Sequence, residues 1–270
     1  MKKLAFIGAG KMAEAILKGA LDAKVLNAAE VVAGDIDTDR LNRIKNIYSI
    51  DVSTDNAAVA QAVGTILLAV KPQHIDDALE SLGPLNLSDK LVISIAAGVT
   101  TKHILAVLKR PARLVRVMPN APALVGRGMS ALTFPPDLPD EDRDFAIALF
   151  KAVGEIVILE ESFMDQATAI SGSGPAYFFY IVKALTQAGE IMGFSPEIAA
   201  KLVISTISGS AHMLEKGGLD AETLIGMVAS KGGTTEAALQ TFDRGNISDI
   251  MIQGVLAALK RAGELNSSAY

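Results

Sequence analysis

Short apolar runs rich in β-branched residues recur along the first part of the chain, at 4–7, 30–33, 65–70, 91–95, 114–118, 129–134 and 155–159. Stretches with apolar residues at helical spacing separate several of them, as at 11–21, 100–108 and 141–152. Strand-length runs that alternate with helices predict a mainly parallel sheet covered by helices. Beyond about Ser162 the β-branched clusters stop, and helical spacing continues through 175–192, 196–214, 221–228, 234–242 and 247–265. The pattern therefore predicts an α/β domain over 1–161 followed by an all-α domain over 162–270. The later helices are rich in Ala, Gly and Ser, lack Trp, and are more apolar than a small exposed domain needs, so a subunit interface is expected there.

Composition narrows the function. With 270 residues, half of them hydrophobic, the chain has ample material for one large or two ordinary domains. A formal net charge of -5 and the lack of any clustered Lys/Arg stripe argue against a nucleic-acid partner. No apolar stretch approaches the roughly 18 residues a membrane span requires, so no membrane partner is expected. The chain has no cysteine, which removes disulfides, a thiolate nucleophile and cysteine metal sites, and fits a cytoplasmic location. His74, His103 and His212 share no metal-ligand spacing, so no metal is expected.

The first apolar run leads directly into Gly8-Ala9-Gly10-Lys11-Met12-Ala13 and then a helical stretch. This is the G-x-G-x-x-G/A arrangement in the context it needs: a tight turn, a glycine where a pyrophosphate can approach, and a small residue packing helix on strand. Asp35 ends the second run about 22 residues after Ala13. A carboxylate there would accept a hydrogen bond from a ribose 2′-hydroxyl and repel a 2′-phosphate, which tilts the choice toward NADH, although Arg40 lies within reach of a phosphate. The bland alternative is that Asp35 only caps the helix that starts near Thr38. Ala69-Val70-Lys71-Pro72-Gln73 and Ile95-Ala96-Ala97-Gly98 end two further strands, where open α/β sheets bind ligands. Arg116-Val117-Met118-Pro119-Asn120-Ala121-Pro122 leaves another strand by a rigid connection, in which Asn120 is a candidate to orient a substrate.

Far from these loops, Ser230-Lys231-Gly232-Gly233-Thr234-Thr235-Glu236 sets two glycines and two hydroxyls at a predicted helix start. Free N–H groups at a helix N-terminus attract a carboxylate, and glycine lets a ligand close to the backbone. Together with Ser171-Gly172-Ser173-Gly174-Pro175-Ala176-Tyr177, these motifs resemble, in order and over the whole chain, those of pyrroline-5-carboxylate reductases. The resemblance implies a Rossmann-type domain followed by a helical dimerisation domain, with homodimers that build decamers in many members. It implies hydride transfer from NADPH or NADH to the C=N carbon of L-1-pyrroline-5-carboxylate, giving L-proline. By the same resemblance, Ile7, Gly8, Ala9, Gly10, Lys11 and Met12, with Asn56, Ala69 to Pro72 and Ala96 to Gly98, fall at cofactor positions. Ser230, Gly232, Gly233 and Thr234 fall at the loop for the substrate carboxylate, and Thr235 where a hydroxyl stands beside the imine nitrogen. Lys231 and Lys11 depart from residues common in the family, proline and asparagine respectively, and neither breaks a motif.

Two other functions compete with this one. A β-hydroxyacid dehydrogenase would use a lysine on a helix of the second domain with an asparagine one turn on; Lys183 is the nearest candidate, but position 187 is Gln. A nucleotide-sensing regulator would bind reduced cofactor without oxidising it.

Overall fold

The computed structural model describes residues 3–83 and 85–268. The first strands and helices run β1 (Leu4–Ile7), α1 (Lys11–Asp22), β2 (Val31–Gly34), α2 (Thr38–Tyr48), β3 (Asp51–Ser53), α3 (Asn56–Gln61), β4 (Thr65–Leu68), α4 (Ile75–Glu80), β5 (Leu91–Ser94) and α5 (Thr101–Leu108). They continue through β6 (Arg113–Met118), β7 (Gly128–Thr133), α6 (Asp140–Lys151), β8 (Gly154–Ile158) and a short α7 (Met164–Ala167). The remainder is helical: α8 (Gly174–Ile191), α9 (Pro196–Gly217), α10 (Ala221–Val228), α11 (Thr234–Arg244) and α12 (Ile247–Ser268).

The strands form one eight-stranded sheet in the order β3-β2-β1-β4-β5-β6-β7-β8. Neighbours are parallel except β6 and β7. The reversal has a simple cause: the segment between Met118 and Gly128 is too short for the crossover of a dozen or more residues that a parallel neighbour requires. The sheet is mainly parallel, as the alternation of runs predicts. Its central strands β1, β4 and β5 are buried along their whole length, because helices cover both faces.

Side chains of β1 alternate between the two layers. Leu4 and Phe6 join Ile16, Leu17, Ile44, Leu149 and Phe150 on one face, while Ala5 and Ile7 join Val59, Ile75, Leu79 and Ile104 on the other. Each fully buried Leu, Ile or Phe contributes about 1.5–3 kcal/mol of transfer free energy, so this sandwich anchors the loops that leave the strands. The three-residue edge strand β3 has no apolar run to announce it; pairing with β2 makes it a strand.

The chain packs as two units. One comprises the residues up to Ser173 with those from Ala258 onward, and the other Gly174–Ala257. Within the second, α8 and α9 lie close together because Gly189 has no side chain; a Cβ there would stand 2.8 Å from the Cβ of Ala199. Little else in that unit is covered. Phe178, Phe179 and Tyr180 are 61%, 67% and 75% exposed in the single chain, and Ile191 is 87% exposed. A run of large apolar side chains left in water is the mark of an interaction surface. No helix among the described residues is long and apolar enough to cross a membrane.

Candidate active site

β1 runs beside both β2 and β4, so the chain order reverses at β1, and the carboxyl ends of β1 and β4 open a crevice at that switch point. Gly8 makes the turn out of β1 with φ +96, a left-handed conformation that favours glycine. Its N–H donates to Gly34 O at 2.7 Å, and Ala69 N–H donates to Ile7 O at 2.8 Å, which lashes the loop to both neighbouring strands. Ile7 is fully buried and can offer only its backbone to a ligand. Gly10 precedes α1 without any side-chain cap. A Cβ on Gly10 would meet no protein atom within 4 Å. No contact inside the protein therefore demands glycine at this position, and the start of α1 beside it offers free N–H groups.

A cleft of about 1070 Å³ opens over this loop, lined among others by Gly10, Lys11, Arg40, Val70, Lys71 and Met118. It has room for a dinucleotide. A second cleft, of about 1120 Å³, runs beside Phe134, Leu138 and Ile158 and includes none of the glycine-loop residues.

Asp35 follows β2 directly. One carboxylate oxygen accepts from Ala9 N–H at 2.7 Å and the other from Asp37 N–H at 3.0 Å. It does not cap α2, whose N-cap is Asp37, accepting from Arg40 N–H at 3.0 Å. Asn56, the first residue of α3, donates its amide to Ser81 Oγ at 2.9 Å, while its Oδ1 is buried, lies close to Gly34 and has no hydrogen-bond partner. Ser81, which the sequence did not single out, thus orients the Asn56 amide. Lys71 precedes the short turn Pro72–His74 after β4, and Ala96 and Gly98 are buried in the tight loop after β5. Glu14, in the first turn of α1, pairs with Arg43 and accepts from Tyr48 Oη at 3.1 Å. Burial and then the Glu14 charge push the Tyr48 phenol above its ordinary pKa.

Asn120 is more committed than its sequence context suggests. Its Oδ1 accepts from Met129 N–H at 2.9 Å, and its Nδ2 donates to Ser171 O at 3.1 Å and to Ser171 Oγ at 3.2 Å. Both ends of the amide brace the β6–β7 connection to the turn at 168–172. Beside it, Arg116 on β6 is nearly fully buried, with Nη1 3.3 Å from Glu161 Oε1 and Nη2 3.8 Å from Asp165 Oδ1. Glu161 also accepts from Thr101 N–H at 2.8 Å and from the Thr101 hydroxyl. This buried knot ties the start of α5 to the segment after β8; no short-range motif announces it.

In the second unit, Ser230 to Glu236 forms a compact turn. Gly233 N–H donates to Ser230 O at 2.9 Å, and a Cβ on Gly233 would stand 2.6 Å from Ser230 Oγ. Gly232 adopts φ +73 and donates its N–H to Glu236 Oε2 at 2.6 Å. Gly233 is the N-cap of α11 and supplies no side-chain cap, in contrast to Ser195 before α9 and Asp220 before α10. Thr234 and Thr235 form the first residues of α11, Thr235 half-buried, and neither hydroxyl makes a hydrogen bond among the described residues. The turn joins bare helical N–H groups to uncommitted hydroxyls, the donors that a carboxylate with a neighbouring polar atom needs.

Comparison with known proteins gives a consistent result. The protein-family model for pyrroline-5-carboxylate reductase dimerisation matches residues 161–265, and that described as NADP oxidoreductase coenzyme F420-dependent matches residues 3–98. The chain is 37% identical over 264 residues to the pyrroline-5-carboxylate reductase of Pseudomonas aeruginosa, covering 97% of this chain and 96% of that one. It is 38% identical over 268 residues to that of Haemophilus influenzae, covering 98% of each. Among solved structures, a pyrroline-5-carboxylate reductase from Coxiella burnetii superimposes with a TM-score of 0.90 at 34% identity, covering 98% of both chains. A Plasmodium falciparum pyrroline carboxylate reductase with NADP bound gives 0.88 at 29% identity, again over 98% of both.

Proposed function

The chain belongs to the pyrroline-5-carboxylate reductase family, and we infer from that membership how its residues take part in reducing the C=N bond of L-1-pyrroline-5-carboxylate to L-proline with NAD(P)H. The observation that carries the reading is likeness along nearly the whole chain, both units included, to proteins of that one name.

The glycine loop fits a dinucleotide because it follows β1 at the switch point, precedes the uncapped start of α1, and leaves open space around Gly10 for a pyrophosphate. In this reading the N–H groups at the start of α1 receive the pyrophosphate, and Asp35, Asn56, Ala69 to Pro72 and Ala96 to Gly98 line the rest of the cofactor. When bound, the reduced nicotinamide supplies a hydride. The protein's own task is to hold the cyclic imine and to favour its protonated nitrogen, since an iminium carbon accepts hydride far better than a neutral imine. At the N-terminus of α11 the hydroxyls of Ser230 and Thr234 and the free N–H groups of the first turn receive the substrate carboxylate, while Gly232 and Gly233, whose own N–H groups are held by Glu236 and Ser230, let it approach the backbone closely. The Thr235 hydroxyl hydrogen-bonds the ring nitrogen, which ends as the amine nitrogen of proline. No strong acid is needed: the proton rides on the nitrogen, the hydride goes to carbon, and the C=N π pair becomes the nitrogen lone pair.

The helical domain forms a homodimer. Assembly of dimers into decamers, a cytoplasmic location and the absence of a nucleic-acid partner complete the proposal; the last two rest on a cysteine-free, acidic composition. The test is an initial-rate assay of the purified chain with pyrroline-5-carboxylate and each reduced cofactor, following loss of nicotinamide absorbance, with proline identified as product. Binding of reduced cofactor without its oxidation would replace this reading by that of a sensor.

A further inference from the structure

The carboxylate at the end of β2 is locked onto the glycine loop by main-chain donors. Asp35 Oδ2 accepts from Ala9 N–H at 2.7 Å, Oδ1 accepts from Asp37 N–H at 3.0 Å, and the side chain is 9% exposed. One cation pairs with it: Arg40 Nη1 lies 3.4 Å from Asp35 Oδ2, and Arg40 Nη2 lies 3.3 Å from Asp37 Oδ2. A single guanidinium is thus shared by two carboxylates, and Asp37 and Asp39 line the cleft over the glycine loop beside it. Arg43, the next cation on α2, is committed to Glu14. The other cations lining the cleft are Lys11, at the start of α1, and Lys71, after β4.

In a sheet of this topology the adenosine ribose reaches the acidic residue that ends the second strand. A 2′-hydroxyl donates to such a carboxylate. A 2′-phosphate brings nearly two negative charges to a loop already carrying three carboxylates against one arginine, and like charges brought together at a binding surface are strongly unfavourable. We propose that this chain selects NADH over NADPH, with Asp35 setting the choice and Arg40 orienting its carboxylate. The inference builds on the reductase reading, yet its test is separable, because cofactor affinity can be measured without turnover.

The experiment is a fluorescence titration of the purified full chain with NADH and with NADPH, paired with kcat/KM for each in the presence of pyrroline-5-carboxylate. NADH is expected to bind at least about tenfold more tightly, the scale of a like-charge mismatch. Asp35→Asn, which keeps one acceptor for the main-chain donors and removes the charge, should lower the NADH/NADPH ratio at least about tenfold, mostly by gaining NADPH. Ile36→Arg changes a side chain that is 90% exposed and should move the ratio the same way with every hydrogen bond of Asp35 intact. Because the ratio is read within one protein, a partly folded sample does not alter it. Equal or tighter binding of NADPH by the unaltered chain, or a ratio unmoved in both variants, overturns the proposal. The expected binding order with no oxidation of either cofactor would uphold it and reject the reductase reading instead.

Discussion

Gly8 and Ala69 touch through their backbones: a Cβ on Gly8 would stand 2.9 Å from the carbonyl carbon and 2.9 Å from the carbonyl oxygen of Ala69. The contact joins the turn after β1 to the end of β4 and sets the floor of the switch-point crevice. Gly8→Ala combines this clash with φ +96, so it should destabilise folding by about 1–3 kcal/mol or more and weaken dinucleotide binding with it. Gly10→Ala meets no protein atom. It should change stability by no more than about 1 kcal/mol and still weaken reduced-cofactor binding at least about tenfold, since its cost falls on the ligand. Urea unfolding and fluorescence titration separate the two; full cofactor affinity in Gly10→Ala would remove the pyrophosphate from this loop.

The knot around Arg116 makes a stability prediction. Arg116→Met takes the shared cation from Glu161 and Asp165, while the partial exposure of the two acids, 35% and 24%, softens the loss. Urea denaturation should report a loss of about 3 kcal/mol, the lower end of the range for breaking a buried pair. Adding Glu161→Gln should recover part of it, because the uncompensated charge then goes. A double variant no more stable than the single would mean that the carboxylate was solvated throughout.

Thr235→Ala should lower kcat by about one to two orders of magnitude, the loss of one hydrogen bond in a dry site, with the unfolding midpoint unchanged. Thr235→Ser keeps the hydroxyl and should keep most of the rate. Unaltered kinetics in the alanine variant would take this residue out of the mechanism.

Phe179 is 67% exposed in the single chain, and dimer formation covers surfaces of this kind. Phe179→Glu places a charge on that face and should shift sedimentation from the dimer toward a 28.2 kDa species. A dimer of undiminished stability would locate the interface on other helices.

The Tyr48 phenol is held above its ordinary range, first by burial and then by the nearby Glu14 carboxylate. The folded state therefore keeps the phenolic proton more tightly than the unfolded chain. Its contribution to stability is present below about pH 10, the unfolded value, and is lost as pH rises through the folded value. Tyrosinate absorbance during alkaline titration should register ionisation at lower pH in Glu14→Gln than in the unaltered chain. An unchanged titration would show that the carboxylate exerts no field on the ring.

The parallel core and the late helices were legible because their signals are local. Leu4 to Ile7 is apolar throughout because both faces of β1 are covered, and the glycine loop follows it at once. β3 was not legible, since Asp51–Ser53 has no hydrophobic run and exists as a strand through pairing with β2. The antiparallel turn from β6 to β7 could have been read from the short connection between them. The partners of Asn120, Met129 and Ser171, were not legible for another reason: they arrive from elsewhere in the chain.

Periodicity and glycine spacing were enough for the fold class and a dinucleotide, and the resemblance of contiguous motifs to those of pyrroline-5-carboxylate reductases was enough for the reaction, because each signal is written in neighbouring residues. Three-dimensional packing was needed to find that Asp35 is clamped by Ala9 and Arg40, that Asn120 is a brace, and that Arg116, Glu161 and Thr101 form one buried knot. Several of those relationships, Asp35 with Ala9 and Arg116 with Glu161 among them, join residues dozens of positions apart. Burial and main-chain donors, which no linear pattern encodes, are what turn such distant polar groups into partners.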